Sequence, residues 1–131
     1  MKPRLLGDEN TSHKLVTACR RLRPGFPLIH IAAHNKDWCG LNDDDLLDAC
    51  LAAGLILVAH DRRTLGNAAT RAIRERGGHA GIILFRAFIR QADFGGQCRA
   101  LCRFWEHSQD WDWFNRMAYI PADILPQPAV R

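Results

Sequence analysis

The stretch LILVAHDRRT, residues 55–64, sets five apolar residues side by side and then stops abruptly at His60-Asp61. A run without polar alternation is the pattern of a strand buried on both faces, as in a parallel sheet covered by helices. On its N-terminal side, residues 43–53 read as a helix stopped by Gly54. On its C-terminal side, residues 64–76 read as a helix ended by Gly77-Gly78. The alternation continues outward in both directions. Residues 2–7 and 27–32 (PLIHIA) read as strands, with a helix at 11–23 between them. HNKDWCGLN makes a loop, GIILFR (81–86) another strand, and 91–108 a long helix weakened at its start by Gly95-Gly96. DWDWFNRMAYIP holds a last short strand. Alternating strands and helices predict an α/β fold, a three-layer arrangement with a mostly parallel central sheet flanked by helices.

The bulk numbers set the bounds. The chain has 131 residues, 47% hydrophobic and 24% charged, enough apolar content for one core and too much for disorder. A single domain over 1–131 is expected, with 121–131 as a frayed tail. No run approaches the roughly 18 apolar residues of a membrane span. The N-terminus enters a strand-like run without the apolar segment of a secretory signal, so a cytoplasmic protein is expected. Five cysteines contain no CxxC pair, which argues against a disulfide framework or a zinc knuckle. Cys98 and Cys102 share a helix face, and burial as small apolar thiols is the simpler reading. The net charge is +4, which permits polyanion binding without demanding it.

The strand ends carry the chemistry. RLLGDEN (4–10) closes on Asp8-Glu9 much as LILVAHD closes on Asp61, while Asp43 opens a helix. In a parallel sheet the carboxyl ends of all strands share one edge, where open α/β sheets bind ligands. Asp8, Asp43 and Asp61 are therefore expected at one rim. Converging carboxylates repel unless a cation sits between them, and hard oxygen donors suit Mg²⁺ or Mn²⁺. Such ions pair with phosphodiester chemistry, which makes a basic protein with an acidic rim a nuclease candidate. Each acid also has a plainer reading. Asp43, Asp44 and Asp45 can cap a helix, and Asp8-Glu9 can serve the helix after Asn10. His60 and His79 read as loop or helix-end residues, His30 and His34 span a strand end where their spacing gives no helical ligand pair, and Trp38, Trp105, Trp111 and Trp113 read as packing residues with base stacking the alternative. The arginines near residues 20–23 and 71–76 read as solvated helix faces that can also meet phosphate.

The motif order, LLGDEN, then GLNDDDLLDACLAAG, LILVAHDRRTL and HAGIILFR, with WFNRMAYIP at the close, resembles the small PIN-like domains, the VapC-like toxin ribonucleases of prokaryotes. The resemblance spans about 4–121. It implies a PIN-like fold and a divalent-metal ribonuclease, the toxin of a type II toxin–antitoxin pair. The implied partners are an RNA substrate and a small cognate antitoxin, and a homodimer is possible. Asp8, Asp43 and Asp61 match the family's acids as catalytic and metal-holding residues, with Glu9 and Asp44 as further candidate ligands. Asn10, Arg62, Arg63 and Thr64 are the candidate substrate contacts. Where many members follow the last acid with RDF, this chain has Arg62-Arg63-Thr64. One acid is thereby missing, with Asp44, Asp45 or Asp37 as substitutes. Two rival readings are a PIN-like protein-binding module without activity and a receiver-like signalling domain. The second lacks the Lys-led loop after GIILFR that phosphoryl acceptance needs.

Overall fold

A computed structural model of the chain describes residues 3–121. The expected frayed tail lies outside the described residues except for Pro121, as does Lys2 at the expected start of the first strand. Five strands, β1 (Arg4–Gly7), β2 (Leu28–His30), β3 (Leu55–His60), β4 (Ile82–Phe85) and β5 (Met117–Ile120), form one sheet in the order β2-β1-β3-β4-β5. Every pairing is parallel. The α/β, three-layer expectation is met, with a sheet parallel throughout.

Strand parity builds the two outer layers. Leu5, Ile56, Val58, Ile83 and Phe85 point to one face, where α1 (His13–Leu22) and α5 (Phe94–Ser108) cover them. Leu6, Leu55, Leu57, Ala59, Ile82 and Leu84 point to the other, under α2 (Ile31–His34), α3 (Asp43–Ala53) and α4 (Arg63–Glu75). All five residues of the apolar run 55–59 are buried, as a central strand between two helix layers requires. Burial of one such side chain contributes roughly 1.5–3 kcal/mol, so the double-sided sheet is the main source of stability. Among the described residues no helix is long and apolar enough to cross a membrane.

Local chemistry sets the boundaries. α1 starts after Ser12, whose hydroxyl accepts the Lys14 N–H. α3 ends on Gly54 at φ 70°, a left-handed cap that glycine adopts without steric cost. The strand expected over 27–32 stops at His30, because its Nδ1 accepts the Ala32 N–H at 3.1 Å and turns the chain into α2. The expected loop that follows holds a 3₁₀ turn, Lys36–Trp38. α5 begins at Phe94 because the Asp93 carboxylate caps Gly96. The tryptophans pack. Trp105 and Trp113 are buried beside Phe104, Trp111 stacks on Trp113, and Trp38 lies against the α2–α4 layer.

Candidate functional site

The strand order reverses direction between β1 and β3, the place where a doubly wound sheet opens a crevice at its carboxyl edge. Asp8 follows β1 there, and its N–H donates to the Val58 carbonyl at 3.1 Å, tying it to β3. Asp8 is only 3% exposed, so its carboxylate must be satisfied internally. Its Oδ1 accepts the N–H groups of Asn10 and Thr11 and the Thr11 hydroxyl, at 3.1, 3.1 and 3.0 Å. The Thr11 side chain in turn lies over Gly7, where an added Cβ would stand 3.0 Å from Thr11 Cγ2. Only a glycine at the end of β1 leaves this turn undisturbed. With Oδ1 so engaged, Oδ2 is the oxygen left to face a partner.

That partner is Arg62. Its Nη1 donates to Asp8 Oδ2 at 2.9 Å and its Nη2 to Asp43 Oδ1 at 2.7 Å, so one guanidinium bridges carboxylates 35 residues apart in sequence. Burial pulls the Arg62 pKa down, but hydrogen bonds to Asp43 and Asp8 outweigh it and hold the group above its usual value. Asp43 is free for this role because Asn42 is the N-cap of α3, its side chain accepting the Asp45 N–H at 2.8 Å. The three acids opening α3 diverge. Asp44 pairs with Arg71 on α4 at 3.0 Å and Asp45 with Arg76, the residue that caps the end of α4, at 3.5 Å. A helix advances about 100° per residue, and with Asp44 and Asp45 turned to these arginines Asp43 is the one of the three that lines the crevice.

Asp8, Glu9, Asn10, Gly40, Leu41, Asp43, Leu46 and Arg62 line a cleft of about 260 Å³. The Glu9 carboxylate reaches across it to accept the Gly40 N–H. Of the residues singled out from sequence, Asp8, Glu9, Asn10, Asp43 and Arg62 thus come together. Asp61 does not line the cleft. It is exposed, anchored by its N–H to the Phe85 carbonyl at 3.0 Å. Arg63 and Thr64 are exposed in the first turn of α4, and Asp37 is exposed in the 3₁₀ turn. Among the described residues, Asp8, Asp43 and Asp61 do not bring three carboxylate oxygens within 4.8 Å of one another. Three cysteines do converge, Cys19, Cys98 and Cys102, and this buried group can hold a metal ion.

Two contributors were not evident from sequence. Thr11 orients Asp8 and is itself held by His30, whose Nε2 lies 2.7 Å from the Thr11 carbonyl oxygen. The Thr11 position in DENT, three residues past the acid, is the one feature of the sequence consistent with an Asp-centred turn. His60, at the end of β3, packs on Phe85 with ring centroids 5.1 Å apart. Neither of its ring nitrogens has a partner among the described residues. Burial pushes the His60 pKa down, with Asp8 opposing.

Comparison with family models, curated proteins and solved structures gives no match. The family reading rests on the motif residues themselves.

Proposed function

We propose that this chain is a divalent-metal-dependent ribonuclease of the PIN-like type, acting as the toxin of a two-gene pair with a small antitoxin. One observation carries the reading: carboxylates from β1 and α3 converge on a single cation, the Arg62 guanidinium, in a cleft at the carboxyl edge of the sheet. A site already organised around positive charge, with hard oxygen donors, fits Mg²⁺ or Mn²⁺. These ions need only one or two carboxylates and complete their shell with water and phosphate oxygens. Asp8 and Asp43 would hold the ion, with Glu9 beside them. When bound, it lowers the pKa of a coordinated water and neutralises phosphodiester charge.

The chain's own residues do the rest. Thr11 fixes Asp8 Oδ1, so the free oxygen keeps one direction. Arg62, released from the acids, can fork onto a phosphate, as planar guanidinium does. Asp61, outside the cleft lining, would act on the ion through water. Water adds across the P–O3′ bond, which leaves a 5′-phosphate and a 3′-hydroxyl.

A second reading has its own support. Arg62 already neutralises the acid pair, which suits a PIN-like binding module that no longer uses metal. Cleavage of single-stranded RNA by highly purified protein, with Mn²⁺ and with EDTA, separates the two. The ribonuclease reading expects EDTA-sensitive cleavage lost in Asp8→Asn and Asp43→Asn. Absence of such activity across varied RNAs favours the binding module.

A further inference from the structure

Away from the cleft, between α1 and α5, the sulfurs of Cys19, Cys98 and Cys102 lie within 4.8 Å of one another. All three residues are buried, at 0%, 5% and 1% exposure. Cys98 and Cys102 are one helical turn apart on α5 and face Cys19 on α1. One turn further along each helix, Arg23 and Glu106 form an ion pair that lies over the end of this seam. The surroundings are otherwise apolar, including Val16, Leu101, Phe104 and Trp105.

We propose that Cys19, Cys98 and Cys102 form a three-thiolate site for a thiophilic d10 cation, Zn²⁺ or Cu⁺, that ties α1 to α5. Soft thiolate donors select these ions over hard ones. Thiolates about 2.3 Å from a common ion stand about 4 Å apart, so the observed cluster closes onto one with sub-ångström shifts. Metal binding displaces the thiol protons to solvent. Among the described residues no fourth ligand joins the three sulfurs, so Zn²⁺ would complete its tetrahedral shell with water, whereas Cu⁺ is content with three sulfurs. The site is independent of the ribonuclease reading.

The test uses the full chain, reduced and metal-free, titrated anaerobically with Zn²⁺ or Cu⁺ and followed by native mass spectrometry and thermal melting. The expected result is one ion per chain with a raised Tm, unchanged in Cys39→Ser and weakened at least about tenfold in Cys98→Ser or Cys102→Ser. Tighter binding of Zn²⁺ than of Cu⁺ in competition with a chelator of known affinity for each identifies zinc as the ion, and the reverse order identifies copper. If the core variants fail to fold, alkylation of the wild type in mild denaturant reads the same site. The bound ion should protect Cys19, Cys98 and Cys102 while Cys39 reacts. Binding that is lost in Cys39→Ser, no Tm rise with either ion, or equal alkylation with and without metal overturns the proposal.

Discussion

Arg62 makes two ion pairs through one guanidinium that is 30% exposed, to an Asp8 that is 4% exposed and an Asp43 that is 20% exposed. Two bare carboxylates in that position would repel, and neutralising either would stabilise the metal-free protein. With Arg62 between them the sign reverses, since removing one partner leaves a half-buried charge without its complement. Arg62→Met should therefore lower stability in EDTA by on the order of 1–3 kcal/mol. The same variant should show a larger Mn²⁺-induced rise in Tm than wild type, because the ion takes the place of the guanidinium. Melting both proteins with EDTA and with Mn²⁺ checks this, and an equal or smaller Mn²⁺ shift in Arg62→Met would remove the ion from the Asp8–Asp43 pair. That Asp8 and Asp43 meet was legible in the sequence, because parallel strands put their carboxyl ends at one edge. Arg62 as their counter-ion was not. Successive residues of an extended chain point to opposite sides, and Arg62 is extended, at φ −151° and ψ 145°. Whether Asp61 or Arg62 turns inward depends on a parity that the run LILVAHDRR does not reveal.

α3 separates capping from site chemistry. Asn42 holds the cap and Asp43 holds the guanidinium, although both begin the same helix. Asn42→Ala should cost about 1 kcal/mol, the usual loss for an N-cap, and leave the response to Mn²⁺ intact. Asp43→Ala should abolish most of that response. Denaturation curves of the two variants with and without Mn²⁺ decide it, and a cap-like result for Asp43 would make it structural. β1 offers a second case. In Gly7→Ala the new methyl stands 3.0 Å from Thr11 Cγ2, closer than ordinary packing, so Thr11 must shift and loosen its hold on Asp8. RNA cleavage is expected to fall several-fold more than stability does, and unchanged cleavage would free Thr11 from any positioning role. Helix α3 was legible to the residue, from DDDLLDACLAAG and its terminal glycine. α2 was not, since only a contact inside its own first turn, Ala32 N–H to His30 Nδ1, ends β2 early.

Across the whole molecule, the layer order followed from strand and helix alternation, but the strand order β2-β1-β3-β4-β5 did not. The crossovers that set it depend on contacts between distant helices and strands, such as α1 against α5. The apparent basic surface also changes meaning once folded. Arg71 and Arg76 pair with acids of α3 and Arg23 with Glu106, which leaves less free charge for RNA than the sequence count suggests. Two buried histidines then link distant parts of the sheet and make stability depend on pH. His79, 1% exposed, accepts the Gly81 N–H on Nδ1 at 3.1 Å, and its main-chain N–H donates to Asn115 Oδ1 ahead of β5. His30 accepts on Nδ1 as well, while its Nε2 meets the Thr11 carbonyl. Protonating either Nδ1 breaks an accepted hydrogen bond and buries a charge. Burial holds both pKa values below the usual one, aided at His30 by the charge of His13 and opposed there by the Thr11 carbonyl. Above the unfolded value of about 6.5 both folded and unfolded states are neutral, and stability is at its full value. As pH falls below it the unfolded chain takes up protons first, so stability declines until the pH passes below the folded values. Urea unfolding at about pH 7.5 and about pH 5.5 should show this loss, at pH values where most carboxylates remain ionised. His79→Asn keeps an oxygen to accept the Gly81 N–H and has nothing to titrate. It should lose less stability than wild type between the two pH values, and an identical loss would mean that His79 takes up protons equally in both states, so that burial does not lower its pKa.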